Sequence, residues 1–243
     1  MKNNHEVALS AHNIGVCYKG HGRALSGDGY WAFKGLSFEA YRGETLGIIG
    51  RNGVGKSSLL RVLAGIVSPD VGHMDSYGNS VSLLALRVGF LGYLSGRENA
   101  VLSGMLQGLR RREAEAKLEE IIEFSGLAEF IDNPVGTYST GMAARLGFSV
   151  AMHAKSDVLL IDEALGVGDE EFKKKSTAAM KHIIASDRTV VFVSHAIPVV
   201  KELCDRVLWI ESGEVKMMGE TNSVLRAYIA SINASKAKSV SKA

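Results

Sequence analysis

Two apolar patterns divide this chain. The first consists of short, nearly unbroken runs: "GETLGIIG" at 43–50, "DVLLID" at 157–162, "TVVFVSH" at 189–195 and "RVLWIESG" at 206–213. Runs this short, rich in aliphatic and β-branched residues, predict strands buried on both faces, as in a parallel sheet. Segments 7–18 and 35–41 alternate only partly and predict short strands, with the Gly-rich, polar "KGHGRALSGDGYW" between them as a loop. The second pattern is helical. "GKSSLLRVLAGIV" predicts a helix stopped at Pro69, and weak strands follow as far as Leu91.

From about Gly89 to Lys155 the helical pattern dominates, with Leu118, Ile121 and Ile122 on one stripe and Arg, Glu and Lys on the other face. This block ends in "YSTGMAARLGF", where Met142, Leu146 and Val150 keep helical spacing behind the small polar run Ser139-Thr140-Gly141. Such a run either caps the helix or leaves its first N–H groups to hold an anion. Helices are expected between the later strands, and a last one over about 223–230 before a Ser/Ala/Lys tail. The sum is a mostly parallel α/β fold interrupted by a helical insert.

Composition adds exclusions. Of 243 residues, 46% are hydrophobic and 22% charged, which is ordinary for a globular chain. A formal net charge of +2 is too small to draw nucleic acid or an anionic membrane by bulk attraction. Lys236, Lys238 and Lys242 cluster only in the tail and read as solvated. Cys17 and Cys204 form neither a disulfide framework nor a zinc pattern; both are expected to be buried, reduced thiols of a cytoplasmic protein. The first ten residues lack a signal-peptide core, and the longest apolar stretch, "SVSLLALRVGFLGYL", is too short to span a membrane and is broken by Arg87.

The chemistry starts in "GRNGVGKSS". Gly50, Arg51, Asn52, Gly53, Val54, Gly55, Lys56 and Ser57 match the phosphate-loop pattern, between a predicted strand and a predicted helix, with Ser58 one residue on. The glycines let the backbone aim N–H groups at phosphate oxygens, Lys56 would reach the β- and γ-phosphates, and the Ser57 hydroxyl would bind Mg²⁺. "DVLLIDE" supplies the acidic partner: Asp162 for Mg²⁺ and Glu163 as general base toward a water at the γ-phosphate. Ser194 and His195 close the next strand, and His195 there could bond the γ-phosphate.

These pieces, in this order, resemble the ATP-binding subunits of ABC transporters from about Val7 to Ile229. "YSTGMAARLGFSVA", "DEALGVGDEEFKKKS" and "GFLGYLSGREN" are similar to the branch that exports bacterial polysaccharides: O-antigen, capsule and teichoic acid. The resemblance implies a RecA-like parallel core with an antiparallel β subdomain over about 1–88 and 156–220. It also implies a helical subdomain over about 89–155 and a C-terminal helix and tail over 221–243. It further implies that Ser139, Thr140, Gly141 and Met142 hold the ATP of a second copy, that Asp169 lies at the inter-subunit loop, and that Tyr18 stacks on adenine, with Tyr30 and Trp31 as rivals. Thr140 and Met142 replace the commoner Gly and Gln. The Gln that most family members carry near Leu86 or Arg87 is missing, the only Gln being Gln107. The implied function is ATP hydrolysis, with Mg²⁺, at the cytoplasmic face of the inner membrane. It is coupled through membrane-spanning permease subunits to export of a lipid-linked polysaccharide, O-antigen foremost. The sequence ends before the carbohydrate-binding domain of the longer exporters; if it is full length, it resembles the shorter type, in which the membrane subunit handles the glycan. The alternatives are an exporter ATPase for capsule, teichoic acid or another substrate such as a drug, lipid or peptide, and, from another class, a nucleic-acid-associated ATPase, which usually carries a long coiled coil where this insert is short and lacks sustained heptads.

Overall fold

The computed structural model describes residues 6–18, 29–84, 89–153, 155–162, 169–184, 186 and 188–240, with side chains as far as 234. A six-stranded sheet runs in the order β5 (Val81–Leu84), β6 (Val158–Asp162), β7 (Thr189–Val193), β3 (Thr45–Ile49), β8 (Arg206–Glu211), β9 (Glu214–Glu220). All neighbours are parallel except β8 and β9. That pair is joined only by Ser212 and Gly213, with φ of 53° and 81°. A two-residue turn with both φ positive allows only a hairpin.

β3 and β7 are buried end to end and β6 is buried as far as Ile161, with Asp162 partly exposed, as the absence of alternation predicts. α1 (Lys56–Leu63) and a three-stranded antiparallel sheet, ordered β2 (Tyr30–Tyr41), β1 (Val7–Tyr18), β4 (Val71–Asp75), share one core with one face of the large sheet. α6 (Glu170–Ile184), α7 (Ile197–Leu203) and α8 (Thr221–Val240) supply the core on the other face. α2 (Gly96–Leu106), α3 (Arg111–Ala116), α4 (Leu118–Ser125) and α5 (Thr140–Ala151) follow one another, and Ile121, Ile122, Leu127, Leu146 and Val150 form a core of their own there.

Four sequence expectations shift. β2 begins at Tyr30, not Gly35: Tyr30 and Trp31 pair with Tyr18 and Cys17 across register shifts that break the alternation. α1 stops well before Pro69, because Gly65 takes a φ of 68° and its N–H closes onto the Val62 carbonyl. Cys204 is buried and its thiol is pushed up to about 12 by that burial, but Cys17, near the end of β1, is only half-buried.

α8 runs ten residues beyond the expected end at Ala230, through a segment whose Ala and Lys favour helix without showing an apolar stripe. Its start is set by Glu220, whose carboxylate accepts from the backbone N–H groups of Asn222 and Ser223, each at 2.9 Å. Those bonds, first of all the backbone ones, hold the Glu220 carboxyl at about 2. Because this folded value lies below the ordinary one, the cap is complete above about pH 4.5 and is lost as pH falls through about 2. Glu220→Gln is therefore expected to speed amide exchange at Asn222 and Ser223 at neutral pH and to remove its acid dependence in that window. Unchanged exchange would show that the cap does not set the helix start.

Candidate nucleotide site

β3 delivers the chain to the C-terminal edge of the sheet, and α1 carries it away. Gly55 makes the corner with a φ of 86°, and a Cβ there would lie 2.6 Å from the Ala32 carbonyl oxygen, so only glycine closes this loop. Gly55 is also the N-cap of α1; it offers no side-chain cap, and the first turn has no acidic residue. The helix thus presents N–H donors and a positive dipole end to whatever lies in front of it. Lys56 is buried, and its Nζ donates to the carbonyls of Gly50 and Arg51, both at 2.9 Å, which pins the ammonium beneath the loop. Gly50 is packed against the Ile210 carbonyl, and Val54 turns into the core.

An open cleft of about 460 Å³ lies over this loop. Asn52, Gly53, Gly55, Lys56, Ser57 and Ser58 line it from below. Asp162, the last residue of β6, and His195, just past the end of β7, line it from the side. Parallel pairing places them there: Asp162 is in register with Val193, and β7 adjoins β3. Tyr18 and Tyr30 line the remaining wall; Tyr18 Oη donates to Ser58 Oγ at 3.0 Å and Tyr30 Oη to the Gly53 carbonyl at 3.2 Å. Trp31 sits instead under Lys34, whose Nζ is 4.8 Å from the ring centre. Two aromatics therefore stay at the cleft, where the sequence pointed first to Tyr18. Glu163 lies outside the described residues, as do Leu86 and Arg87.

The Ser139–Met142 run is elsewhere, absent from the walls of this cleft. Ser139 caps α5, its Oγ accepting from the Met142 N–H at 3.1 Å, so the capping reading holds within this chain. Thr140 is exposed, and Met142 packs partly into the helical core. Gly141 has an ordinary helical φ, and a Cβ added there would meet nothing closer than Ser139 Oγ at 3.8 Å. The backbone at Gly141 is therefore uncrowded by the described residues.

Asp169 is drawn into α6, accepting from the Phe172 N–H at 2.8 Å and pairing with Arg145 Nη1 at 3.3 Å. The Phe172 bond, aided by Arg145, holds its carboxyl below the usual range. Arg145 went unread in the sequence because its partner is distant in the chain; only packing of α5 against the start of α6 brings them together. Tyr138, just before the run, donates its Oη to the Phe130 carbonyl at 2.7 Å and fills the space that a side chain at Gly96 would need.

A family model described as ABC transporter matches residues 33–166, more than half of the chain and all of the phosphate loop, Asp162 and the Ser139 run. The chain belongs to the ABC transporter family. Among curated relatives, it is 45% identical to the teichoic acids export ATP-binding protein TagH of Enterococcus faecalis, over 82% of this chain and 44% of that one. It is 44% identical to the O-antigen export system ATP-binding protein RfbB of Myxococcus xanthus, over 86% and 48%. It is 43% identical to RfbB of Klebsiella pneumoniae, over 84% and 83%. The chain thus spans about half the length of the first two relatives. In fold it resembles a dimeric ATP-binding cassette in a post-hydrolysis state bound to ADP and Pi, with a TM-score of 0.72, 19% identity and coverage of 88% and 98%. Among the described residues, no helix is long and apolar enough to cross a membrane.

Proposed function

We propose that this ABC-family chain binds and hydrolyses ATP as one of a pair of copies and powers export of a lipid-linked polysaccharide through separate membrane-spanning subunits. The observation that carries the pairing is the separation of the uncrowded Gly141 and its capped helix from the chain's own nucleotide cleft. In the pair, the phosphate loop of one copy and the Ser139–Met142 helix end of the other enclose each nucleotide. Lys56 and the α1 N-terminus meet the phosphate charge, His195 bonds the γ-phosphate, and Glu163 takes a proton from the attacking water. Tyr18 or Tyr30 stacks on the base.

Ser57 and Asp162 face the same cleft with hard oxygen donors, which suits Mg²⁺ with several retained waters. Ser57 and Asp162 would hold that ion, whose charge would screen the phosphates. Asp169 joins the facing copy in this reading, at the cost of its bond to Arg145.

The polysaccharide reading rests on relatives named for O-antigen and teichoic acid export and on the three branch-like segments. O-antigen is the substrate we place first, with the chain at the cytoplasmic face of the inner membrane. Disrupting its gene in a lipopolysaccharide-bearing host is expected to remove the long-chain O-antigen ladder on gels. An intact ladder with loss of another surface polymer would reassign the substrate. ATPase stimulation by DNA or RNA, in place of stimulation by a co-purifying membrane subunit, would overturn the exporter reading.

A further inference from the structure

A second cleft, of about 560 Å³, opens at the opposite edge of the six-stranded sheet. Its walls come from the residues just before β5 and β6, from the start of β7 and from Arg42. This is the N-terminal edge of the parallel strands, away from the edge where open α/β sheets ordinarily bind ligands. Among the described residues three cations line it, Arg42, Lys155 and Arg188, with one carboxylate, Asp157; Arg42 and Lys155 are each paired to a further carboxylate, Glu6 and Glu113.

The carboxylate is already engaged. Asp157 Oδ2 accepts from the Ser80 N–H at 2.9 Å and the Ser80 hydroxyl at 2.7 Å, closing the β5–β6 edge. The cations are less fully used. Lys155 pairs with Glu113 at 2.6 Å through side chains 61% and 36% exposed, a solvent-screened contact. Arg42 Nε lies 2.8 Å from Glu6 Oε1 as an ion pair, yet that N–H is buried with no aligned hydrogen bond. Arg188 has no ion-pair partner among the described residues, and its buried Nη1 makes no hydrogen bond. Ser156 is 8% exposed, and its Oγ is equally without a partner.

Two buried donors left unsatisfied in one cleft, Arg188 Nη1 and Ser156 Oγ, call for an acceptor, because buried polar groups are otherwise almost always paired. A planar guanidinium with no ion-pair partner among the described residues, beside an unbonded hydroxyl, suits an oxyanion with several acceptor atoms. We propose that this cleft is a second anion site that takes a phosphate group. Arg188 and Ser156 donate to its oxygens, and Arg42 and Lys155 supply the field that draws it in.

The test uses the full chain with its nucleotide cleft saturated by AMP-PNP and Mg²⁺, so that the phosphate loop does not compete. Inorganic phosphate titrated by calorimetry is expected to bind with one-to-one stoichiometry. Arg188→Gln is expected to weaken binding by about tenfold or more and Ser156→Ala by several-fold, with Lys216→Gln, on β9, unchanged. AMP-PNP binding by each variant checks that it folds; Arg188→Lys, which keeps the charge, stands in should the glutamine variant fail. Competition by glycerol 3-phosphate would assign the phosphate of a larger molecule, and binding of the inorganic ion alone would assign the free ion. Absence of phosphate binding, binding that Arg188→Gln leaves unaltered, or binding of malonate in place of phosphate would each overturn the proposal.

Discussion

Ser139→Arg is expected to abolish ATP-driven pairing while the single chain still binds nucleotide. Ser139 is exposed and outside the chain's own cleft, so the change touches no atom around the phosphate loop. Within the chain it removes the Oγ bond to the Met142 N–H, a cap worth about 1 kcal/mol. It also sets a positive charge on a helix N-terminus, a further penalty of about 0.3–1 kcal/mol at an exposed site. Against a typical stability of about 5–15 kcal/mol, the domain remains folded. Across the pair the effect is far larger. In the proposed pair, the arginine would fill the space in front of Gly141 and cover the N–H groups assigned there to the facing copy's nucleotide. Light scattering with ATP, in a background that does not hydrolyse it, reads the outcome directly. Normal ATP-induced dimers of Ser139→Arg would end the idea that this run serves another copy.

Glu163→Gln provides that background and is the second large effect. Glutamine keeps the size of the side chain and its hydrogen-bonding oxygen but cannot accept a proton from water. Glu163 follows Asp162, which lines the nucleotide cleft at the end of β6. A general base in such a position contributes about 10²–10⁴-fold to rate. Turnover is expected to fall by that factor while ATP affinity stays near that of the unaltered chain, since the phosphate loop is untouched. Phosphate release and fluorescent-nucleotide binding measured side by side separate the two. Undiminished turnover would move the base elsewhere, with Asp162 and His195 the titratable groups described on that wall.

The parts legible in the sequence are those that a short window encodes. Unbroken apolar runs named the central strands, because a strand covered on both faces has no polar position to reveal. The glycine spacing of the phosphate loop named its own turn, because Gly55 has no alternative at a positive φ against the Ala32 carbonyl. The Ser139 cap was written in the residue type. Where local patterns misled, a local break was the cause: register shifts hid the first residues of β2, and Gly65 ended α1 ahead of the proline.

What the sequence by itself determined was the set of chemical groups: phosphate-loop donors, an Asp-Glu strand end, a histidine strand end and a capped helix. The tertiary structure alone decided which of them meet. Strand order and parallel register bring Ser57, Asp162 and His195 to one sheet edge and leave Ser139–Met142 off it. The same packing joins Arg145 to Asp169 and gathers Arg42, Ser156 and Arg188 at the far edge. The reason is physical: such meetings depend on hydrogen-bonded register and on faces buried together across long stretches of chain, and no local period carries that information.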